Sequence, residues 1–134
     1  MPILRPLALL LALSCAPPGL AAGDGAALFR EACAACHGMD ARGGGPTAAL
    51  LTVEVPDLTL IAARDGGFDP ARVVRLIDGR EGLAAHGGPM PLFGGLLTGP
   101  AVALDGPEGS AVTTTAPILA IVRWLETVQQ EAPR

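Results

Sequence analysis

Lysine and tyrosine are absent from this chain, and aromatic side chains are scarce, at three phenylalanines and one tryptophan in 134 residues. All nine basic residues are arginines, none beside another, against thirteen acids, for a formal charge of −4. Without a basic cluster to neutralise phosphates, nucleic acid is excluded as a partner. Long apolar runs are missing too. The run from Leu7 to Leu13 is far short of the ~20 residues that span a bilayer, so no transmembrane anchor is expected. Half of the residues are apolar, but these are mainly alanine, leucine and valine, diluted by 18 glycines and 13 prolines. The length suits one domain, and that domain has few large side chains for a core. Either the chain is loose and loop-rich, or something other than side chains fills its centre.

The amino-terminal stretch reads as a secretory signal over residues 1–22. Arg5 supplies the positive region, Leu7 to Leu13 the apolar region, and Pro17, Pro18 and Gly19 break any helix before the small residues Ala21, Ala22 and Gly23. Cleavage near Ala22 leaves a single domain over 23–134. Cys15 follows the apolar run as a lipid-anchoring cysteine does. Leu13, however, stands one position later than that signal prefers, so Cys15 is expected to leave with the leader. Two cysteines then remain, Cys33 and Cys36, whose spacing suits a disulfide, a metal pair or a thioether pair.

Along 23–134 the pattern is helical with long loops. Asp24 caps a helix from Gly25 to about Cys36, and residues 38–46 are loop by composition. A short helical turn is expected at Thr47 to Leu51, and a second piece capped by Asp57 runs through Ala63. Asp69-Pro70 followed by Val73, Leu76 and Ile77 and closed by Gly79 is the clearest helix signal. The last helix starts after Thr114 or Thr115 and runs from Ala116 to about Gln130, with Ile118, Ile121, Val122, Leu125 and Val128 on one face. Between Leu96 and Thr115, β-tolerant residues flank the turn Asp105 to Gly109, which suits a short hairpin. That hairpin is expected beside the methionine loop described below, where it would restrict solvent at a cofactor edge and add surface for a partner. The fold class is all-α, with this hairpin as an excursion.

Chemistry concentrates at Cys33-Ala34-Ala35-Cys36-His37, the pattern of covalent haem attachment. Thiols at i and i+3 lie along one side of a helical turn and reach the two vinyl groups of one porphyrin. The next residue, His37, then falls beneath the iron as its axial ligand. Two other readings compete. A zinc site needs about four N or S ligands, which Cys33, Cys36, His37 and His86 would supply without the usual second paired spacing. A redox dithiol should follow a strand in a βαβ unit, whereas this pair ends an amphipathic helix. A haem also answers the shortage of core side chains, since burying a large apolar ring contributes ~25 cal/mol per Å². The cofactor-free chain is expected to fold poorly for the same reason.

The iron's sixth ligand comes from Met39, His86 or Met90. Met39 lies two residues past His37, on the same side of the ring. Met90 sits between Pro89 and Pro91 on a stiff extended loop far from His37 in sequence, which suits the distal side; His86 is the competing ligand. His/Met ligation closes the iron, and the thioether raises its potential. One-electron transfer without bond chemistry at iron follows, so the protein is not expected to be an enzyme.

With these residues in view, the chain resembles a class I c-type cytochrome of the exported bacterial kind, over most of 23–134. Gly25 to Phe29 resembles the family's first helix, and Trp124 the aromatic of the last helix that packs on it. Gly43 to Pro46 and Pro56-Asp57-Leu58 resemble the loop after the haem motif, and Met90 to Gly94 the distal methionine loop. The resemblance implies a fold wrapped around one covalent haem c, a periplasmic location, and redox proteins as partners, for which an acidic surface suits a basic docking patch. It also implies that the Pro46 carbonyl accepts the Nδ1–H of His37. The roughly twenty residues from Leu96 to Thr115 depart from the family pattern, which passes from methionine loop almost directly to last helix. The alternatives left open are a haem subunit of a larger respiratory or dehydrogenase complex, and a ligand-binding or peroxidase-like haem protein.

Overall fold

A computed structural model of the chain describes residues 24–79, 90, 93–106 and 109–131. The expected signal over 1–22, Cys15, His86 and the two prolines flanking Met90 lie outside the described residues. The element order is α1 (Gly25–Ala32), α2 (Ala34–His37), 3₁₀ turns at Ala48–Leu50 and Leu58–Leu60, α3 (Ile61–Asp65), α4 (Pro70–Asp78), β1 (Ala101–Asp105), β2 (Ala111–Thr115) and α5 (Ala116–Thr127).

Asp24 starts α1 by accepting the Ala26 N–H at 3.1 Å. The helix then crosses α5 at very close range. A Cβ on Gly25 would lie 2.1 Å from the Ala120 carbonyl oxygen, so only glycine lets the two backbones meet there. One turn on, Phe29 is fully buried and its ring meets that of Trp124 with centroids 4.6 Å apart and planes tilted by 40°. Around this contact Val74, Ile118, Ile121, Val122 and Leu125 form the core.

Three boundaries differ from the sequence expectation. The first helix breaks at Cys33, whose φ of −119° ends α1 before α2 resumes the helical path to His37. The piece capped by Asp57 is a 3₁₀ turn leading into α3, which continues to Asp65. The last helix stops at Thr127 because the following residues bond elsewhere. The Gln129 side chain accepts the Ala62 N–H and donates to the Leu58 carbonyl, both at 2.9 Å, and the Gln130 N–H donates to the Thr59 carbonyl at 2.8 Å. In contrast α4 begins and ends at the residues its local signals name, with Asp69 accepting the Arg72 N–H and Gly79 in the left-handed conformation.

The hairpin is present. Strands β1 and β2 pair antiparallel, with Val102 opposite Thr114 and Leu104 opposite Val112 on the inward face. Two strands alone are marginal in water, and this pair is anchored by burial of Val112 and Thr114 against α4 and α5. Thus the chain folds as a mostly helical domain carrying one small antiparallel sheet. Among the described residues no helix is long and apolar enough to cross a membrane.

Candidate functional site

The helices enclose a mainly apolar cavity of about 720 Å³, within the ~300–1,000 Å³ usual for small-molecule and cofactor sites. One wall is the α1–α2 segment, with Phe29, Cys33, Cys36 and His37. The loop from Leu51 to Pro56 forms a second wall, and Ile61 of α3 with Val73, Leu76 and Ile77 of α4 a third. Ile121 and Leu125 of α5 close the base, and Met90 and Phe93 also line the space. Four residues singled out in the sequence, Cys33, Cys36, His37 and Met90, therefore border one cavity. Met39 does not, and is 65% exposed.

The short helix α2 is held from below by the loop that follows it. The Gly43, Gly45 and Thr47 N–H groups donate to the carbonyls of His37, Cys36 and Ala35 at 2.8, 3.0 and 2.9 Å. A Cβ on Gly45 would lie 2.4 Å from the Ala35 carbonyl oxygen, so this rung requires glycine. Pro46 is exposed and lies between the last two rungs. The Thr47 hydroxyl donates to the Ala35 carbonyl at 2.7 Å and lies 3.2 Å from Cys36 Sγ, leaving the thiol as donor in that contact. Burial pushes the Cys33 thiol up to about 11, with the neighbouring Cys36 adding to the rise.

Charged side chains gather on the cavity lining at Glu54, Arg64, Asp65 and Arg72. The Arg72 guanidinium is paired with the Asp65 carboxylate. Neither these arginines nor Thr47 was marked by the sequence, because an isolated Arg in a helix and a Thr in a loop carry no local pattern. No described residue between 98 and 115 lines the cavity. The hairpin, expected at a cofactor edge, thus contributes no described residue to the cavity lining, and its Val112 and Thr114 are drawn in against α4 and α5.

The profile of the cytochrome c family matches residues 22–98, more than half of the chain, and the chain belongs to that family. No curated protein and no solved structure matches it. Cytochromes c carry a covalently bound haem c with its iron, and they exchange electrons with redox partner proteins. The matched segment contains Cys33 to His37 and Met90, and it ends before the hairpin and α5.

The cavity fits such a group on its own evidence. It is mainly apolar, two sulfurs and an imidazole line it, and Arg64 stands on the lining as a cation for the porphyrin's carboxylates.

Proposed function

We propose that the protein is a periplasmic one-electron carrier in which Cys33 and Cys36 hold one haem c by thioethers and His37 and Met90 are the axial ligands. The reading includes removal of residues 1–22 on export, leaving 23–134 as the working domain. What carries it is the convergence of Cys33, Cys36, His37 and Met90 on one apolar cavity. When bound, the haem supplies the one-electron iron couple.

The rest is the work of the chain. Cys33 and Cys36 would hold the ring on the α1–α2 wall, each S–H adding across one vinyl group with nothing expelled. The three-rung loop beneath α2 holds the His37 backbone, and with the haem bound the Pro46 carbonyl would accept the imidazole Nδ1–H, orienting the ligand and raising its basicity. Ile61, Val73, Ile77, Ile121 and Leu125 exclude water, so the charge change at the iron is not screened by bulk solvent. Arg64 would supply a cation for the group's carboxylates, while Arg72 is paired with Asp65. With His37 and Met90 both as ligands, the iron would keep no position for oxygen or substrate.

The test is spectroscopic. Holoprotein purified from the periplasm should keep its haem on acid denaturation, show a thioether-to-iron charge-transfer band when oxidised, and bind carbon monoxide slowly when reduced. Replacing both Cys33 and Cys36 by Ala should abolish the acid-stable haem. Met90→Ala should remove the band, lower the potential and admit carbon monoxide. Acid-stable haem in the double variant, or an unchanged band in Met90→Ala, would refute the assignment.

A further inference from the structure

Three residues beyond Met90 the chain is stitched to the end of α4. The Phe93 N–H donates to the Ile77 carbonyl and the Gly94 N–H to the Asp78 carbonyl, both at 3.0 Å. The Leu96 and Leu97 N–H groups fold back on the Phe93 carbonyl at 2.9 and 2.8 Å, closing a tight turn.

The hairpin grips this turn and its support with the last two residues of β2. The Thr114 hydroxyl, 1% exposed, donates to Asp78 Oδ2 at 2.8 Å, and the Asp78 side chain is itself buried. The Thr115 hydroxyl donates to the Leu97 carbonyl at 2.6 Å. Strict alternation would turn Thr115 outward, yet it is buried like Thr114. The two adjacent hydroxyls thereby serve two different elements, α4 and the turn.

We infer that the insertion is a brace for the distal loop: Thr114 and Thr115 are positioning residues that hold Phe93–Leu97 against α4 and so set how firmly Met90 is presented to the cavity. This rests on Met90 being the distal ligand. Only two residues separate Met90 from Phe93, so their Cα atoms stay within ~10 Å and movement of the turn is felt at the thioether. An axial thioether spends a small fraction of time detached, and that fraction follows the free-energy difference between the gripped and released loop. A buried carboxylate that loses its hydroxyl partner favours release.

The test compares holoproteins carrying Thr114→Val, Thr115→Val, Thr114→Ser and Val112→Ala with the wild type. Val112 is buried in the same strand but is an apolar core residue without a side-chain hydrogen bond to the turn, so Val112→Ala controls for general destabilisation. The readouts are the carbon monoxide association rate of the reduced protein, the thioether-to-iron band of the oxidised protein, and the urea midpoint. Thr114→Val and Thr115→Val should each speed carbon monoxide binding roughly tenfold and weaken the band. Thr114→Ser should restore both, and Val112→Ala should lower the midpoint without moving either. Wild-type carbon monoxide rates in the two valine variants would overturn the brace, as would an equal acceleration in Val112→Ala. If Thr114→Val does not accumulate with haem, Thr115→Val decides. A wild-type protein lacking the band would instead overturn Met90 ligation itself.

Discussion

Replacing Gly45 by alanine probes how tightly α2, which carries Cys36 and His37, rests on its loop. The new Cβ would stand 2.4 Å from the Ala35 carbonyl oxygen, 2.5 Å from that of Ala34 and 2.6 Å from the Cys36 carbonyl carbon. All three are backbone atoms, so no rotamer change relieves the clash. Restoring a contact near ~3.5 Å needs α2 and the loop to part by about 1 Å. The rungs at 2.8, 3.0 and 2.9 Å would then stretch past hydrogen-bond length. At ~1 kcal/mol net for each bond the loss is of order 3 kcal/mol, at the top of the ~1–3 kcal/mol range for overpacking. Set against a total stability of ~5–15 kcal/mol this is severe, equivalent to a fall of ~10–20 °C in Tm for a domain of this size. Gly44 is the internal control, since a Cβ there meets nothing within 4 Å. Gly44→Ala should be neutral or stabilise by ~0.4–1 kcal/mol through the unfolded chain. Thermal and urea unfolding of the holoproteins, followed in the haem region by circular dichroism, measures both. A Gly45→Ala protein within ~0.5 kcal/mol of wild type, or equal losses in the two variants, would refute the reasoning.

Two further outcomes follow from the cavity. In the cofactor-free chain, a Cys33 thiol raised from 9.0 to about 11 stays protonated at pH 8 to 10 while the fold is closed and resists alkylation until the chain is unfolded. Its contribution to stability is full below 9.0, where folded and unfolded thiols are both neutral, and is lost as pH rises toward about 11. Alkylation of a folded cofactor-free chain at the rate of the denatured one would contradict this. At the rim, Arg64→Gln removes a cation from the lining and should lower the midpoint potential, because positive charge favours the electron-rich state, with the difference shrinking in high salt. Protein-film voltammetry reads the change, and a raised potential would argue against it.

How much of this was legible beforehand depends on how local each signal is. Helix α4 carries its start and stop in adjoining residues, Asp69-Pro70 and Gly79, and matches expectation. The spacing of Cys33, Cys36 and His37 is equally local. The end of α5 is not, because the bonds that divert Gln129 and Gln130 go to residues 58–62, some seventy positions away. The hairpin was visible in its β-branched residues and its turn, but its seat was not, since nothing near Thr114 in sequence points to Asp78. Arg64, Arg72 and Thr47 acquire their places only when loop and helices meet around the cavity. What defeated the sequence was contact across distance.

The crossing of α1 with α5 also imposes an order of assembly. Gly25 rests on Ala120, Phe29 on Trp124, and the residues after α5 clasp the start of α3. The wall bearing the cysteines therefore lacks the residues of α5 until that helix has been made and brought back. Such pairings between distant segments form late and slowly. During that interval Cys33, buried once the domain closes, is open to solvent. Because α5 follows α1 and α2 at long sequence separation, the cysteine wall stays accessible until that pairing forms. Moving α5 to the front of the chain by circular permutation would shorten that window while leaving every finished contact the same.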